Sequence, residues 1–490
     1  MAGPLSHIRV LDLSRVLAGP WAGQNLADLG AEVIKVERPK VGDDSRAFGP
    51  PWVKDKAGAP TRDSAYFTSA NRGKKSVTVN MARPEGQALV RALAQKCDVL
   101  IENYKFGDLA RYGLAYADLS KLNPRLIYCS VTGFGQTGPQ REHPGYDFMI
   151  QGMGGMMSVT GEPDGAPGGG PQRAGVPVAD IITGMYASIA ICAALANRAQ
   201  TGKGQHLDLA LLDSQIALLA YQNTNYFATG TPPKRIGNLH PNIVPYQPFK
   251  TADGDVILAC GNDNLFRKFC EAAGCGELAT DARYATNGKR VEHRAELTAK
   301  LQEVFSKRGT KEWVALLEAA GVPNGPINNV AQVFEEPQVK ARGIRLQLDH
   351  PEAGKLDSVA SPMRFSGTPL EFRLAPPLLG QHTDEVLRTS SARVTRRSRS
   401  CVPRACSRSI VDFCASVLHD LRPLGDLGVD QRGEFLGRLA ACGRALRLPD
   451  DFHLGRLQRF DGFLVHAVEH FLRRAFHAPE RVPSRHLIAR

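Results

Sequence analysis

Along the first part of the chain, short apolar runs rich in β-branched residues alternate with longer stretches whose apolar positions recur at helical spacing. Strands are predicted at residues 8–14, 31–37, 76–81, 98–103 and 126–133, with helices between most of them, residues 84–96 the clearest. That alternation predicts an α/β fold with a mostly parallel, doubly wound sheet. A long apolar helix is expected over 181–199, then a turn, a strand and another helix within 201–214. Residues 221–237 turn polar and read as a connection. Two strands around the Ala252-Asp253-Gly254 turn open a second, smaller and mainly helical domain, and residues 321–339 lead back toward the first. The predicted organisation is a large domain from 1–220 and 326–388, a small one over 221–325, and a separate tail over 389–490.

Composition is that of a soluble globular protein, with 43% hydrophobic and 22% charged residues. No uninterrupted apolar run reaches the roughly 18 residues of a membrane span, and the start carries no secretory pattern. A cytoplasmic protein without membrane attachment is therefore expected. The formal net charge of +12 is unevenly spread: residues 389–490 hold 18 Arg, no Lys and 10 acidic residues, while all 19 lysines precede them. An Arg-rich, Lys-free segment is what GC-rich DNA yields in a wrong reading frame, so residues from about 389 are read as an out-of-frame extension. The alternative is an appended module with an amphipathic helix over 460–480. Arg396, Arg397 and Arg399 lack interleaved aromatics or a reader motif, so no nucleic-acid partner is expected. The cysteines and histidines show no zinc spacing and no metal is expected.

Ligands of doubly wound sheets gather beyond the carboxyl ends of the strands. Here those ends carry Ser14 and Arg15, Glu37 and Arg38, Asn80 and Met81, Asn103 and Tyr104, and Thr132 and Gly133, with Lys74, Lys75, Lys105 and Arg111 near in sequence. Such a surface suits a polyphosphate, or is simply a set of solvated charges. No GxGxxG or P-loop pattern opens the first helix, which excludes the usual nicotinamide and nucleotide sites. Residues 161–171, rich in glycine, read first as a flexible loop and second as a lid. Asp180, at the predicted start of the long helix, has two readings: an ordinary N-cap, or a carboxylate nucleophile toward an activated acyl group.

The runs VLDLSRVLAGPWAGQNLADLGAEVIKVERP, NRGKKSVTVNM, VLIENYKFGDLARYGL, NPRLIYCSVTGFGQTGP, GVPVADIITGMYA, TGKGQHLDLALLDSQ, GVPNGPINN and LLGQHTDEVLR decide between them. Over residues 6–388 the chain resembles the class III CoA-transferases, the CaiB–BaiF family. The resemblance implies a Rossmann-like large domain built from both ends of this region, a smaller central domain, and an interlocked homodimer. It implies a CoA-transferase with no permanently bound cofactor, acting on acyl-CoA and a carboxylic acid. Asp180 is implied as the nucleophile, with helix-start N–H groups as oxyanion donors. CoA contacts are implied at Leu17, Ala18, Arg38, Val79, Asn80, Met81, Asn103, Tyr104, Lys105, Arg111, Gly145 and Tyr146. Related α-methylacyl-CoA racemases carry a histidine in a GHD motif, where this chain has Gly145-Tyr146-Asp147, so transfer is favoured over racemisation; a non-catalytic CoA- or nucleotide-binding protein is the alternative from another class, which an Asp180→Ala variant would separate. Within the family the GPPW and HPNIVPYQPFKTADG runs look most like succinyl-CoA:glutarate transferases. Arg173, Arg235 or His240 could then meet a second carboxylate.

Overall fold

The computed structural model describes residues 3–388. The tail from 389, with both its readings, lies outside the described residues. Among the described residues there are thirteen strands: β1 (Arg9–Asp12), β2 (Glu32–Glu37), β3 (Trp52–Lys54), β4 (Pro60–Ser64), β5 (Lys74–Thr78), β6 (Val99–Glu102), β7 (Ile127–Thr132), β8 (His206–Ala210), β9 (Tyr246–Lys250), β10 (Asp255–Ala259), β11 (Asn324–Pro326), β12 (Arg345–His350) and β13 (Gly354–Val359). Six of them form one parallel sheet in the order β5-β2-β1-β6-β7-β8. This is the Rossmann-like, doubly wound order. The chain leaves β1 toward β2 on one side and takes up β6 on the other, which opens a crevice at their carboxyl ends.

The strands read as continuous apolar runs because both faces of the sheet are covered. One face packs Val10, Val33, Val99, Ile101 and Ile127 against the first helix (Ala18–Asp28) and the long helix (Val178–Thr201). The other packs Leu11, Ile34, Val36, Val77 and Leu100 against Val90, Leu93 and Leu119 from two further helices, with Val386 from the far end of the described chain. That end lies along β5: Ser76 O accepts the His382 N–H at 2.9 Å, and Thr383 Oγ1 accepts the Thr78 N–H at 3.2 Å. A separate core in residues 244–322 stacks Phe249 on Phe305, centroids 4.6 Å apart, behind the antiparallel sheet β11-β10-β9.

Under the first helix lies a buried charge network. Lys74 Nζ meets Asp12 Oδ2 at 2.9 Å, Pro20 O at 2.8 Å and Asn71 Oδ1 at 3.0 Å. Lys35 Nζ meets Asp43 Oδ2 at 2.8 Å and Ser14 O at 2.9 Å. Burial alone would raise the Asp12 carboxyl, yet Lys74 and Lys35 hold it below its ordinary value. Gly23 is required above this pair, since a Cβ there would sit 2.8 Å from Asp12 Oδ2.

Several expectations are corrected. The strand expected over 76–81 is β5, Lys74–Thr78, so Val79 to Met81 lie beyond its end. Lys74 is fully buried and paired with Asp12, and takes no part in a phosphate-facing surface. Residues 221–237 are not all connection, because Tyr221–Thr229 is helical. The hairpins β3–β4 and β12–β13 went unpredicted, being short and largely polar. The long helix spans 24 residues and is long and apolar enough to cross a membrane, although about a third of its apolar window is buried inside the protein. Counting uninterrupted runs overlooked it.

The Asp12–Lys74 pair sets a stability test. Asp12→Asn leaves a dry ammonium without its carboxylate and is expected to lower stability by about 3–5 kcal/mol. Asp12→Leu combined with Lys74→Met should recover most of that loss. Urea denaturation midpoints of the three proteins give the comparison.

Candidate active site

The carboxyl edge of the sheet gathers most of the residues singled out from sequence. Beyond β1, Asn103 Oδ1 accepts the Arg15 N–H at 2.8 Å while its Nδ2 donates to Arg15 O at 2.6 Å. This exchange ties β1 to β6 across the switch crevice. The next residue, Val16, has φ 70°, costly for a β-branched side chain; Asp43 Oδ1 holds its N–H at 3.0 Å. The chain then enters the first helix at Leu17 with no side-chain cap and no acidic residue in its first turn. Gly19 lets that turn approach, since a Cβ would lie 2.4 Å from Ser14 Cβ.

Arg15, Arg38, Met81 and Tyr104 line one narrow cleft with Ser14, Val36 and Gly42. Arg15 lies over the Tyr104 ring at 4.9 Å, and both Arg15 and Arg38 share Asp44, Arg15 at 3.0 Å. Leu17, Ala18, Val79 and Met81 are buried; Asn80 and Lys105 are exposed at the ends of β5 and β6. Gly145 rests on the end of β7, where a Cβ would come within 2.2 Å of Gly133 Cα, so neither glycine tolerates a side chain. Tyr146 is 69% exposed. Arg111 is turned outward on a one-turn helix and pairs with Asp108 at 2.5 Å. Glu102, at the end of β6, was not singled out; burial pushes its carboxyl up to about 7 although Tyr104 N–H donates to it at 2.8 Å.

Asp180 is not the cap of its helix. The helix starts at Val178, and the capping position is Pro177, whose side chain offers no acceptor. Asp147, first residue of the helix Asp147–Met153, caps it instead: its Oδ1 accepts Ala179 N–H at 2.8 Å and Asp180 N–H at 3.2 Å. Its Oδ2 takes Gln151 Nε2 at 2.7 Å, and Gln151 Oε1 takes Ala174 N–H at 2.9 Å. The backbone carrying Asp180 is thereby held at both ends by one short helix. The two helix-start N–H groups are already engaged, so they do not serve as the expected oxyanion donors.

The Asp180 carboxylate itself accepts no hydrogen bond and forms no ion pair among the described residues. Burial pushes it up to about 7, and the Asp147 charge adds to the rise. Tyr66, also absent from the sequence reading, is half-buried nearby; its hydroxyl is pushed up to about 12 by burial and by the fields of Asp180 and Asp147. It packs edge-on against Phe48 at 5.4 Å. Among the described residues no cluster of His, Cys, Asp and Glu is arranged to hold a metal ion. An unpaired carboxylate with a raised value in the first turn of a helix marks a candidate for acid–base or nucleophilic chemistry.

These features belong to a known class. The family model described as CoA-transferase family III matches residues 5–383. The chain belongs to the class III CoA-transferases. A succinate–glutarate CoA-transferase of Agrobacterium fabrum is 51% identical over 384 residues, 78% of this chain and 95% of that protein. The human succinyl-CoA:glutarate CoA-transferase is 43% identical over 409 residues, covering 84% and 90%. A crystal structure of a CaiB/BaiF family protein from Brucella suis superposes with a TM-score of 0.70 at 50% identity, covering 80% of this chain and 100% of that one. The chain is thus a CoA-transferase, whose substrates are a CoA thioester and a carboxylic acid.

A carboxylate raised by burial has a stability signature. The folded-state value of Asp180, about 7, lies above the ordinary 3.8, so ionisation opposes folding and stability is lost as pH rises from about 4 through 7. Asp180→Asn is expected to be more stable than the parent by about 1–3 kcal/mol at pH 8. The advantage should vanish near pH 4. Paired thermal or urea melts at the two pH values check it.

Proposed function

We propose that the enzyme moves CoA between dicarboxylic acids, with succinyl-CoA or a similar dicarboxylyl-CoA as donor, and that Asp180 is its covalent nucleophile. The observation that carries this is the Asp180 carboxylate, free of hydrogen bonds and ion pairs among the described residues, half-buried and balanced near neutrality at a helix start. In the first step an Asp180 oxygen attacks the thioester carbonyl, forming a mixed anhydride and releasing the CoA thiolate. The thiolate attacks the aspartyl carbonyl, giving an aspartyl-CoA thioester and the free donor acid. The acceptor carboxylate then attacks that thioester, forming a second anhydride, and the returning thiolate yields the new acyl-CoA and regenerates Asp180. One thioester replaces another, so the exchange runs near equilibrium without ATP. Each intermediate is open to hydrolysis, which favours a site closed against water.

CoA is read as lying along the carboxyl edge, over Leu17 and Ala18, past Arg38 and Val79 to Met81, with Asn103 to Lys105, Arg111, Gly145 and Tyr146 completing the contacts. Arg38 and the uncapped first helix suit its phosphates. The substrate class is supported by the names of the Agrobacterium and human relatives. A homodimer is supported by the uncovered apolar side chains Met185, Tyr186 and Ile189 on the long helix, together with Ile216 and Phe227, which a second copy would cover. Tyr146 stands where a racemase would need a proton-carrying histidine, which favours transfer.

The test is chemical. Incubation with succinyl-CoA and quenching with hydroxylamine should convert Asp180 to its hydroxamate, read by mass on the peptide containing it. An unmodified peptide from a preparation that is turning over sinks the covalent mechanism. Asp180→Ala should keep CoA affinity and lose exchange. In D₂O, a 2-methylacyl-CoA should show no fast α-deuteration; deuteration without an acceptor acid would instead support a racemase. The rate of adduct formation should rise with pH through about 7, since only the carboxylate attacks. Asp147→Asn removes the neighbouring charge and should move that limb to lower pH.

A further inference from the structure

Three basic side chains were candidates for meeting a second substrate carboxylate, and the structure separates them. Arg235 is engaged: it pairs with Asp164, donates from Nη1 to Ser158 O at 3.4 Å, and its stem lies near Gly161. Its work is to fasten the glycine-rich loop, which Gly237 N–H also grips at Gly161 O, 3.0 Å. His240 lies between Tyr221 and Tyr246, ring centroids 5.2 and 5.1 Å away, and its Nδ1 accepts the Asn242 N–H at 3.1 Å.

Arg173 is different. Its guanidinium lies over the Phe148 ring at 5.7 Å and has no acidic partner among the described residues. Its backbone is fixed on either side, Gln172 N–H to Thr160 O at 3.0 Å and Ala174 N–H to Gln151 Oε1 at 2.9 Å. The same Gln151 donates to Asp147, which holds the Asp180 N–H. Phe148, the ring beneath Arg173, directly follows Asp147 in the chain. The exposed Arg173 is thus tied to the short helix on one flank, through Ala174 and Gln151, and its guanidinium stacks loosely on Phe148 of the same helix. Arg173 makes no ion pair with Asp180, so it leaves the nucleophile unneutralised. A guanidinium resting on an aromatic face keeps its in-plane N–H donors free for a planar, bidentate anion.

We infer that Arg173 binds the distal carboxylate of a dicarboxylic acyl group and so makes the enzyme select diacids over monoacids. The inference rests on the reading that Asp180 carries the acyl group. Arg173 is here a specificity residue, and its effect is confined to substrates with a second carboxylate.

The experiment compares the donor half-reaction of succinyl-CoA and butyryl-CoA, following CoA release in the presence of hydroxylamine. Wild type, Arg173→Gln and Arg173→Lys are measured at matched concentrations. Arg173→Gln is expected to lower the second-order rate constant of this single-turnover CoA release with succinyl-CoA roughly 10–100-fold, the size of one lost charge-assisted contact. Butyryl-CoA should react within about twofold of wild type, which also shows that the variant folds. Arg173→Lys should restore part of the succinyl rate. Equal loss with both donors would make Arg173 a brace for the 174–180 segment and overturn the inference, as would an unchanged succinyl rate. In both cases Asp180 would still be trapped, so the transfer reading survives. A wild-type enzyme that forms no adduct with either donor overturns both.

Discussion

One carboxylate caps a helix so that another, a turn inside it, can stay unoccupied. Pro177 leaves the long helix without a side-chain acceptor at its start, and Asp147 reaches across to take the Ala179 and Asp180 N–H groups. The consequence is electrostatic. Two acids now share one helix terminus, and among the described residues no cation pairs with Asp180 to relieve them. The positive end of the helix favours negative charge there, but burial and the Asp147 field outweigh it, and Asp180 is held near neutrality. Had Asp180 been its own cap, its oxygens would be engaged by backbone N–H groups and its value held low.

That arrangement needs a rigid floor. The helix bearing Asp147 is seated by the contact of Gly145 on Gly133, at the end of β7, and Gly184 lets the long helix approach the first, where a Cβ would meet Ala18 O at 2.6 Å. The first helix in turn stands on the Asp12–Lys74 and Lys35–Asp43 pairs. Burial would raise the Asp43 carboxyl, but Lys35 beside it holds it at about 2. These charges are satisfied internally, whereas Arg15 and Arg38 are left at the crevice with one shared acid. Interior ion pairs build the crevice, and incompletely neutralised arginines face it.

Much of the scaffold was legible in the sequence, for a local reason. Strands covered on both faces must be apolar along their length, so β1, β2, β6 and β7 announce themselves within a few residues. Long-range pairing left no such trace. Lys74 looked like a surface cation because its partner Asp12 lies 62 residues away, and Asp147 was given no capping role because the helix it caps starts some thirty residues later. Asp180 was noticed for its place, but the nucleophile reading proposed for it came from family resemblance, and its cap reading failed because the helix begins two residues sooner. The one local signal that could have exposed Asp147 is the proline at 177, which removes the ordinary cap and demands another.

The long helix poses the last question, since its length and apolarity would suit a bilayer. Its buried stripe argues for protein on one side: Ala187, Ile191 and Ala194 pack on the sheet, and Ser188 meets Asn25 at 3.2 Å. Arg198, buried near its end, pairs with Asp98 at 3.0 Å. A helix pinned by a sheet on one face and carrying a buried ion pair near its end has the character of a core helix. Its other face still needs cover, because Ile189 is 61% exposed and Met185 and Tyr186 lie beside it. Those residues begin little more than a turn after Asp180. The proposed second copy, seated there, would bury the apolar stripe and shield the Asp180 end of the helix from water in the same step.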